Sequence, residues 1–468
     1  MPMDVFKALK NMISAKHAED IMEELKNFKY RVKEQLGTIN VDSLDNIDGI
    51  DGAIGVFTDG SNVVSERRGA GVAIFSAASL LFEISGKNLK FRGKHIITPN
   101  DCILIIIPRF YIGTRANTIM RGIEYLSTLH LISTTKDIDF AIIDGSYVST
   151  LLSARWGIEH LYRDFYNTLT AFCSSSKTSK KPKTDIIVDI CESISDATNR
   201  ILSNHVFRGL RRPQSILSNF CENYAEYISM IYEAVVNNHE IPEPCYVSLM
   251  NYVSMFFEIN LSMKALVMLL NNAHKRRLVL LWLNKEPESR ILTKNVDHKL
   301  FRMFTDATVL DFSLDNGEFL HHYGLPSISP SGIYISKTLA SRTSSSSHVL
   351  IPELADVIYG IYGEYGVVYV KYLEYVIQYT YPRTLFGVFD EERLKIDEAV
   401  LKYIKLLGNI SDVGYPLPMI HAHNTTVLKA GLAEILADKF TEILSLDPRL
   451  SQLARRLIGK TGRRLIGI

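Results

Sequence analysis

Along the first 37 positions apolar residues recur at helical spacing, Val5, Leu9, Met12 and Ile13 and then Ile21, Leu25 and Phe28, with charged residues between them. The period predicts one or two amphipathic helices. After a Gly/Asp/Asn-rich connection at 46–52 the pattern becomes that of strands. Short apolar runs at 53–59, 69–77, 80–85 and 91–97 predict an antiparallel meander. A further apolar run follows at 102–108; helical spacing over 115–128 puts Ile119, Ile123 and Leu126 on one side, and 139–144 is the next strand. From about 150 to 300 the spacing is mostly helical, as in Leu161, Phe165 and Leu169 or Tyr224, Ile228 and Ile231, with a Ser/Lys run at 174–183 breaking it. Strand character returns at 278–283, 332–336, 367–372 and 375–381, the last two close enough for a hairpin. A Ser-rich loop at 341–347 precedes a helix at 353–362, and helices at 392–407 and 426–444 flank Gly414-Tyr415-Pro416-Leu417-Pro418, which its prolines make irregular. The fold class is α/β.

Two phrases in this pattern carry chemistry, Phe57-Thr58-Asp59-Gly60-Ser61 and Ile143-Asp144-Gly145-Ser146. Each ends an apolar, strand-like run with a carboxylate and a turn-forming Gly-Ser. A carboxylate at the end of a buried strand is costly to desolvate unless something compensates it. Two such ends side by side predict a cation held between them, and Glu124 lies on the intervening helix. Oxygen ligands of this kind suit Mn²⁺ or Mg²⁺. Two such ions about 3.5–4 Å apart can activate a water and stabilise the leaving oxygen of a phosphodiester. Asp-Gly alone is a common turn; the repetition on matching strands, with a helical Glu between, is what points to metal. Late in the chain His423 stands just before a predicted helix, where an imidazole can ligate metal or shuttle a proton.

Charge is balanced, with Lys+Arg 52 against Asp+Glu 51, so no global field dictates a nucleic-acid or membrane partner. Beyond Asp447, however, Arg449, Arg455, Arg456, Lys460, Arg463 and Arg464 form a basic tail with an apolar side, suited to an acidic partner or DNA phosphate, or to a solvated terminus. Cys102, Cys173, Cys191, Cys221 and Cys245 are scattered, which predicts a reducing compartment with neither a disulfide framework nor a zinc knuckle. The longest apolar stretches, 102–108 and 278–283, fall below the span a membrane helix needs, and charges run through the first 34 residues, unlike a secretory signal. A soluble cytoplasmic protein without a membrane partner is expected. Gly459-Lys460-Thr461 is no phosphate loop, because Ala454 stands where glycine is required.

The ordered set of motifs resembles the NurA family of archaeal and bacterial DNA nucleases. The matching pieces are Thr58-Asp59-Gly60-Ser61, Gly69-Ala70-Gly71-Val72-Ala73-Ile74, Arg121-Gly122-Ile123-Glu124, Ile142-Ile143-Asp144-Gly145-Ser146, Ile333-Tyr334-Ile335-Ser336-Lys337-Thr338, and Gly414-Tyr415-Pro416 followed by Ala422-His423. They bracket nearly the whole chain. The resemblance implies an RNase H-like mixed β-sheet flanked by helices. On that basis the chain divides into an N-terminal helical segment (1–45), the first half of the core (46–150), a mostly helical insertion (151–330), the second half of the core (331–445) and the basic tail (446–468). The family's members are manganese-dependent nucleases acting on single- and double-stranded DNA, including 5′ to 3′ exonuclease and single-strand endonuclease action. They form homodimers and work with HerA, a hexameric ATP-driven translocase, on double-strand break ends. The resemblance places the metal carboxylates at Asp59, Glu124 and Asp144, the C-terminal histidine at His423 as catalytic group and metal ligand, and the late catalytic tyrosine at Tyr415. Lys337 and Arg121 are assigned to phosphate or DNA, and the cofactor to two Mn²⁺ ions, with Mg²⁺ as the alternative. Where relatives often carry an arginine on the hairpin at 367–381, this chain has Gln378. Two other readings use the same residues: a phosphotransferase on an actin-like sheet, and a non-catalytic adaptor capping a translocase ring.

Overall fold

The computed structural model describes residues 40–154, 183–206, 213–238, 243–285, 287–290, 304–324, 362–373, 375–412 and 415–448, with isolated positions between and beyond them. The predicted N-terminal helices, the strand at 332–336 with Lys337, the Ser-rich loop and most of the helix at 353–362 lie outside the described residues.

The centre is a ten-stranded mixed sheet. Its strands are β1 (Asn40–Ser43), β2 (Gly52–Glu66), β3 (Gly71–Ser85), β4 (Asn88–Ile97), β5 (Ile103–Ile106), β6 (Phe140–Asp144), β7 (Val279–Asn284), β8 (Glu318–Gly324), β9 (Tyr365–Tyr372) and β10 (Tyr375–Pro382), and β11 (Ser411–Asp412) and β12 (Tyr415–Pro416) form a separate small ladder. The order across the main sheet is β1-β8-β9-β10-β7-β6-β2-β3-β4, with β5 also on β3. Among the described strands only β2, β6 and β7 run parallel, at the middle. There Phe140–Ile143 and Val279–Leu283 are buried throughout, as expected of parallel strands covered on both faces. β7 and β8 come from within 151–330, so the sheet draws strands from that stretch as well.

The helices are α1 (Ile112–Thr134), α2 (Lys183–Val206), α3 (Pro213–Asn238), α4 (Tyr246–Arg276), α5 (Asp306–Ser313), α6 (Asp390–Asn409), α7 (Leu417–Thr426) and α8 (Leu432–Ser445). α1 lies on one face of β2 and β3, where Asn62 bonds Asn117 and Thr58 approaches Thr128. The opposite face carries α6 and α7: Phe140 packs on Tyr403, and Phe82 stacks on His421. α4 backs α1 so closely that a Cβ on Gly122 would sit 3.2 Å from the Ser262 backbone. α4 has a segment long and apolar enough to cross a membrane, but 89% of that segment is buried inside the protein, which makes it a core helix.

Four expectations need correction. The runs at 69–77 and 80–85 are one strand, β3, and β2 continues past Asp59 to Glu66, because the two pair residue for residue from Gly52↔Ser85 to Glu66↔Gly71. Asp59 therefore sits within its strand, and its Gly-Ser is absorbed into the ladder; Asp144 does end β6. The predicted helix at 426–444 begins later, at Leu432 after Gly431 at φ +90°, and a separate α7 starts at Leu417 with Pro418 in its first turn, where no backbone N–H is required. His423 thus lies in the last turn of α7 rather than ahead of a helix. Finally, Cys102 and Cys221 form a disulfide across 119 residues of sequence, joining the turn before β5 to α3. Spacing along the chain could not reveal it, since the pairing depends on how the helical stretch folds back.

Candidate metal centre

β2 pairs with β6 only through Gly55–Thr58, so from Asp59 onward there is an opening on the β6 side of β2, where no other strand of the described residues pairs with it. Into this opening the predicted acids come from three elements. Alternation along β2 sends Asp59 to the α7 face and Gly60 to the α1 face. Asp59 is nearly fully buried, its Oδ1 accepting from the Gly60 N–H at 2.7 Å and its Oδ2 lying 2.8 Å from His423 Nδ1. Glu124, on α1, fills the space a side chain on Gly60 would take: a Cβ there would stand 2.6 Å from Glu124 Oε1. The Gly60 amide is also near enough to favour the Glu124 carboxylate. Two carboxylates thus flank Gly60 from opposite faces of the sheet. Asp144, at the end of β6, accepts from the Tyr415 hydroxyl at 3.1 Å.

The electrostatics follow from burial without neutralisation. Burial pushes the Glu124 carboxyl well above the carboxylate range, and the charges of Asp59 and Asp144 push it further, against the opposing pull of Arg121 and the Gly60 amide. Asp144 is raised from 3.8 to about 6, first by burial and then by Asp59, with Lys285, Tyr415 and His423 opposing. The Tyr415 hydroxyl is held far above its ordinary range by burial and by Asp144 and Asp59, so it stays protonated and donates. Among the described residues no group of three or more His, Cys, Asp or Glu side chains is placed so that it could hold a metal ion as it stands. What the molecule does have is a set of oxygen donors whose repulsion a divalent cation would relieve, the donor chemistry that hard ions prefer.

Beneath the site the α1 face is polar and hydrogen-bonded. Thr128 Oγ1 lies 2.8 Å from both the Glu124 carbonyl and Thr58 Oγ1, and the chain continues through Ser79 and Ser127 to His95. This fixes the turn of α1 that carries Glu124.

The fold brings Asp59, Glu124, Asp144, His423 and Tyr415 together, with Arg121 beside Glu124; Lys337 lies outside the described residues. One cation escaped the sequence reading. Exposed Lys285 follows the end of β7, acts on Asp144, and has its Nζ 5.8 Å from the Tyr415 ring centre. Its signal is positional: a lysine just past the C-terminal end of a strand parallel to β6, where α/β sheets bind ligands. Gln378, in contrast, is buried, donating to the Tyr369 hydroxyl at 2.9 Å, so that position belongs to the interior of the hairpin rather than to an open wall.

No family model matches the sequence, and no curated protein matches it. Among solved structures the chain is similar to NurA, with a TM-score of 0.50 at 12% identity over 94% of this chain and 99% of that one. It is similar also to NurA bound to dAMP and manganese (0.47, 12%, 95% and 99%). The NurA nuclease from Sulfolobus solfataricus gives 0.46 at 16% identity, over 94% and 98%. At such identities likeness speaks to fold, and the first of these establishes it: over nearly its whole length this chain has the fold of NurA.

Proposed function

We propose that the protein is a metal-dependent deoxyribonuclease, a phosphodiester hydrolase on an RNase H-like sheet. The observation that carries this reading is that Asp59 and Glu124 flank Gly60 from its two sides, with Asp144 at the end of β6 near enough to act electrostatically with them. The NurA fold supports it.

Asp59, Glu124 and Asp144 would hold Mn²⁺ or Mg²⁺, two ions in the fully loaded site, which when bound would acidify a water and neutralise charge on the scissile phosphate. The protein's own groups do the rest. His423, engaged through Nδ1 with Asp59 and half exposed on its other side, is oriented to exchange a proton with the departing oxygen through Nε2. Tyr415 fixes the Asp144 carboxylate by donating to it. Lys285 and Arg121 flank the acids and would draw the phosphate in; Lys337 is assigned to the same task by the sequence resemblance. That resemblance is also the ground for 5′ to 3′ exonuclease and single-strand endonuclease action, for a cytoplasmic homodimer, and for a HerA-type hexameric ATPase partner in double-strand break processing.

The test is digestion of linear and circular single-stranded DNA and of plasmid DNA with Mn²⁺, with and without EDTA. Asp59→Ala should abolish cleavage and also the rise in melting temperature that Mn²⁺ gives the wild-type protein. A fully active Asp59→Ala variant refutes the assignment.

A further inference from the structure

The exposed surface next to the acids has a composition of its own. β4 is the edge strand of the sheet and carries Lys90, Arg92 and Lys94, with Lys87 in the turn before it and no acidic residue in its length. Lysines on an edge strand deter edge-to-edge pairing. Phe91, in the middle of that row and 52% exposed, serves no such purpose.

Register shows where this aromatic ring points. Phe91 pairs with Phe82, Lys94 with Leu80, and Asp59 with Ala78, and directly opposed residues share a face. Ala78, Leu80 and Phe82 alternate on one face of β3, so Phe91, Lys94 and Asp59 all project to the same side. Ring contacts trace the path. Phe91 meets Phe82 edge-on at 5.6 Å, Phe82 stacks on the exposed His421 at 6.1 Å, and His421 lies on α7 with His423, the partner of Asp59. Four residues of strand separate the Phe82 and Ala78 positions, about 14 Å.

We propose that this face is the track for single-stranded DNA leading to the acids: Phe91 stacks an unpaired base, His421 offers a second ring, and Lys94 pairs with the backbone phosphate. The proposal rests on the nuclease reading and names the form in which substrate reaches that site. An exposed aromatic among cations is what sequence-tolerant single-strand binding uses, since every base has a π face and every linkage a negative charge. Arg92 is tied to Glu83 at 2.6 Å through Nε, and Lys94, opposite Leu80, is the β4 cation that register sets beside Phe91 on this face.

The experiment measures binding of a fluorescent oligothymidylate to the full chain in EDTA, where cleavage cannot interfere. Phe91→Ala should weaken binding about tenfold, and Phe91→Leu as much, because an aliphatic chain does not stack. Phe91→Trp should restore affinity, and its added emission should be quenched by DNA. Lys94→Ala should lower the slope of log affinity against log salt by about 0.7. Wild-type affinity in Phe91→Ala, or unquenched emission in Phe91→Trp, overturns the track. Cleavage by the wild-type protein with Mn²⁺ but no effect of Phe91 would sink the track alone. DNA bound through Phe91 without any cleavage would sink the nuclease reading instead, and no DNA binding at all would overturn both.

Discussion

Helix α1 holds two buried charges that differ in how they are answered. Near its start Arg115 is 1% exposed and forms a complete cluster. Its Nε and Nη2 reach Glu258 at 2.9 and 2.7 Å, and its Nη2 also reaches the Tyr224 hydroxyl at 2.9 Å. The carbonyls of Ile107 and Pro108 take further donors of the same guanidinium. The positive charge has its counter-charge inside the protein, and the cluster locks α1 to α3 and α4. Farther along, Glu124 is 3% exposed and faces Asp59 and Asp144, charges of its own sign. Burial alone does not separate structure from function here. The difference is whether the fold supplies the opposite charge or sets like charges together, and strongly perturbed groups of the second kind are candidates for functional sites.

The largest effect should come from breaking the answered pair. Arg115→Leu leaves Glu258 buried without its partner and should cost about 3–5 kcal/mol. Replacing both Arg115 and Glu258 by leucine should recover most of that loss in urea denaturation. The same kind of charge removal at the other site should do the opposite. Asp144→Asn should eliminate Mn²⁺-dependent cleavage yet raise the melting temperature of the metal-free protein at neutral pH.

Position 60 sharpens the contrast further. Gly60→Ala puts a methyl where Glu124 Oε1 now lies. Cleavage should fall about a hundredfold, as expected for an ångström-scale displacement of a catalytic group. A denaturation midpoint close to wild type would confine the change to the site.

The smallest effect is in pH. The folded protein holds the Asp144 proton up to about pH 6, above the ordinary 3.8. The native state therefore binds more protons than the unfolded chain in that interval, and this contribution to stability falls as pH rises from about 4 through 6. In EDTA the wild-type protein should lose stability relative to Asp144→Asn across that window, and Mn²⁺ should cancel the difference. Parallel pH profiles for the two proteins would remove Asp144 from the strained set.

Much of the site was legible in the residue pattern because its signals are local. An apolar run ending in Asp144, the helical period around Glu124, and a carboxylate within the Asp59 phrase each need only a few neighbours. What was misread depends on partners. β2 runs on through Gly60 because β3 pairs with it that far, and Phe91 reads as one more aromatic in a basic strand until register sets it opposite Phe82. Lys285 becomes part of the site only because β7 lies parallel to β6. The Cys102–Cys221 bond belongs to the same class, since no spacing rule joins residues that far apart.

By itself, then, the amino-acid order determined the elements and the identity of the acids, because period, turn residues and side-chain chemistry act over short range. Tertiary structure alone decided that the acids meet. Two of them flank Gly60 from opposite faces of the sheet, at a place where a neighbouring strand stops, and that termination is a property of packing between segments far apart in the chain.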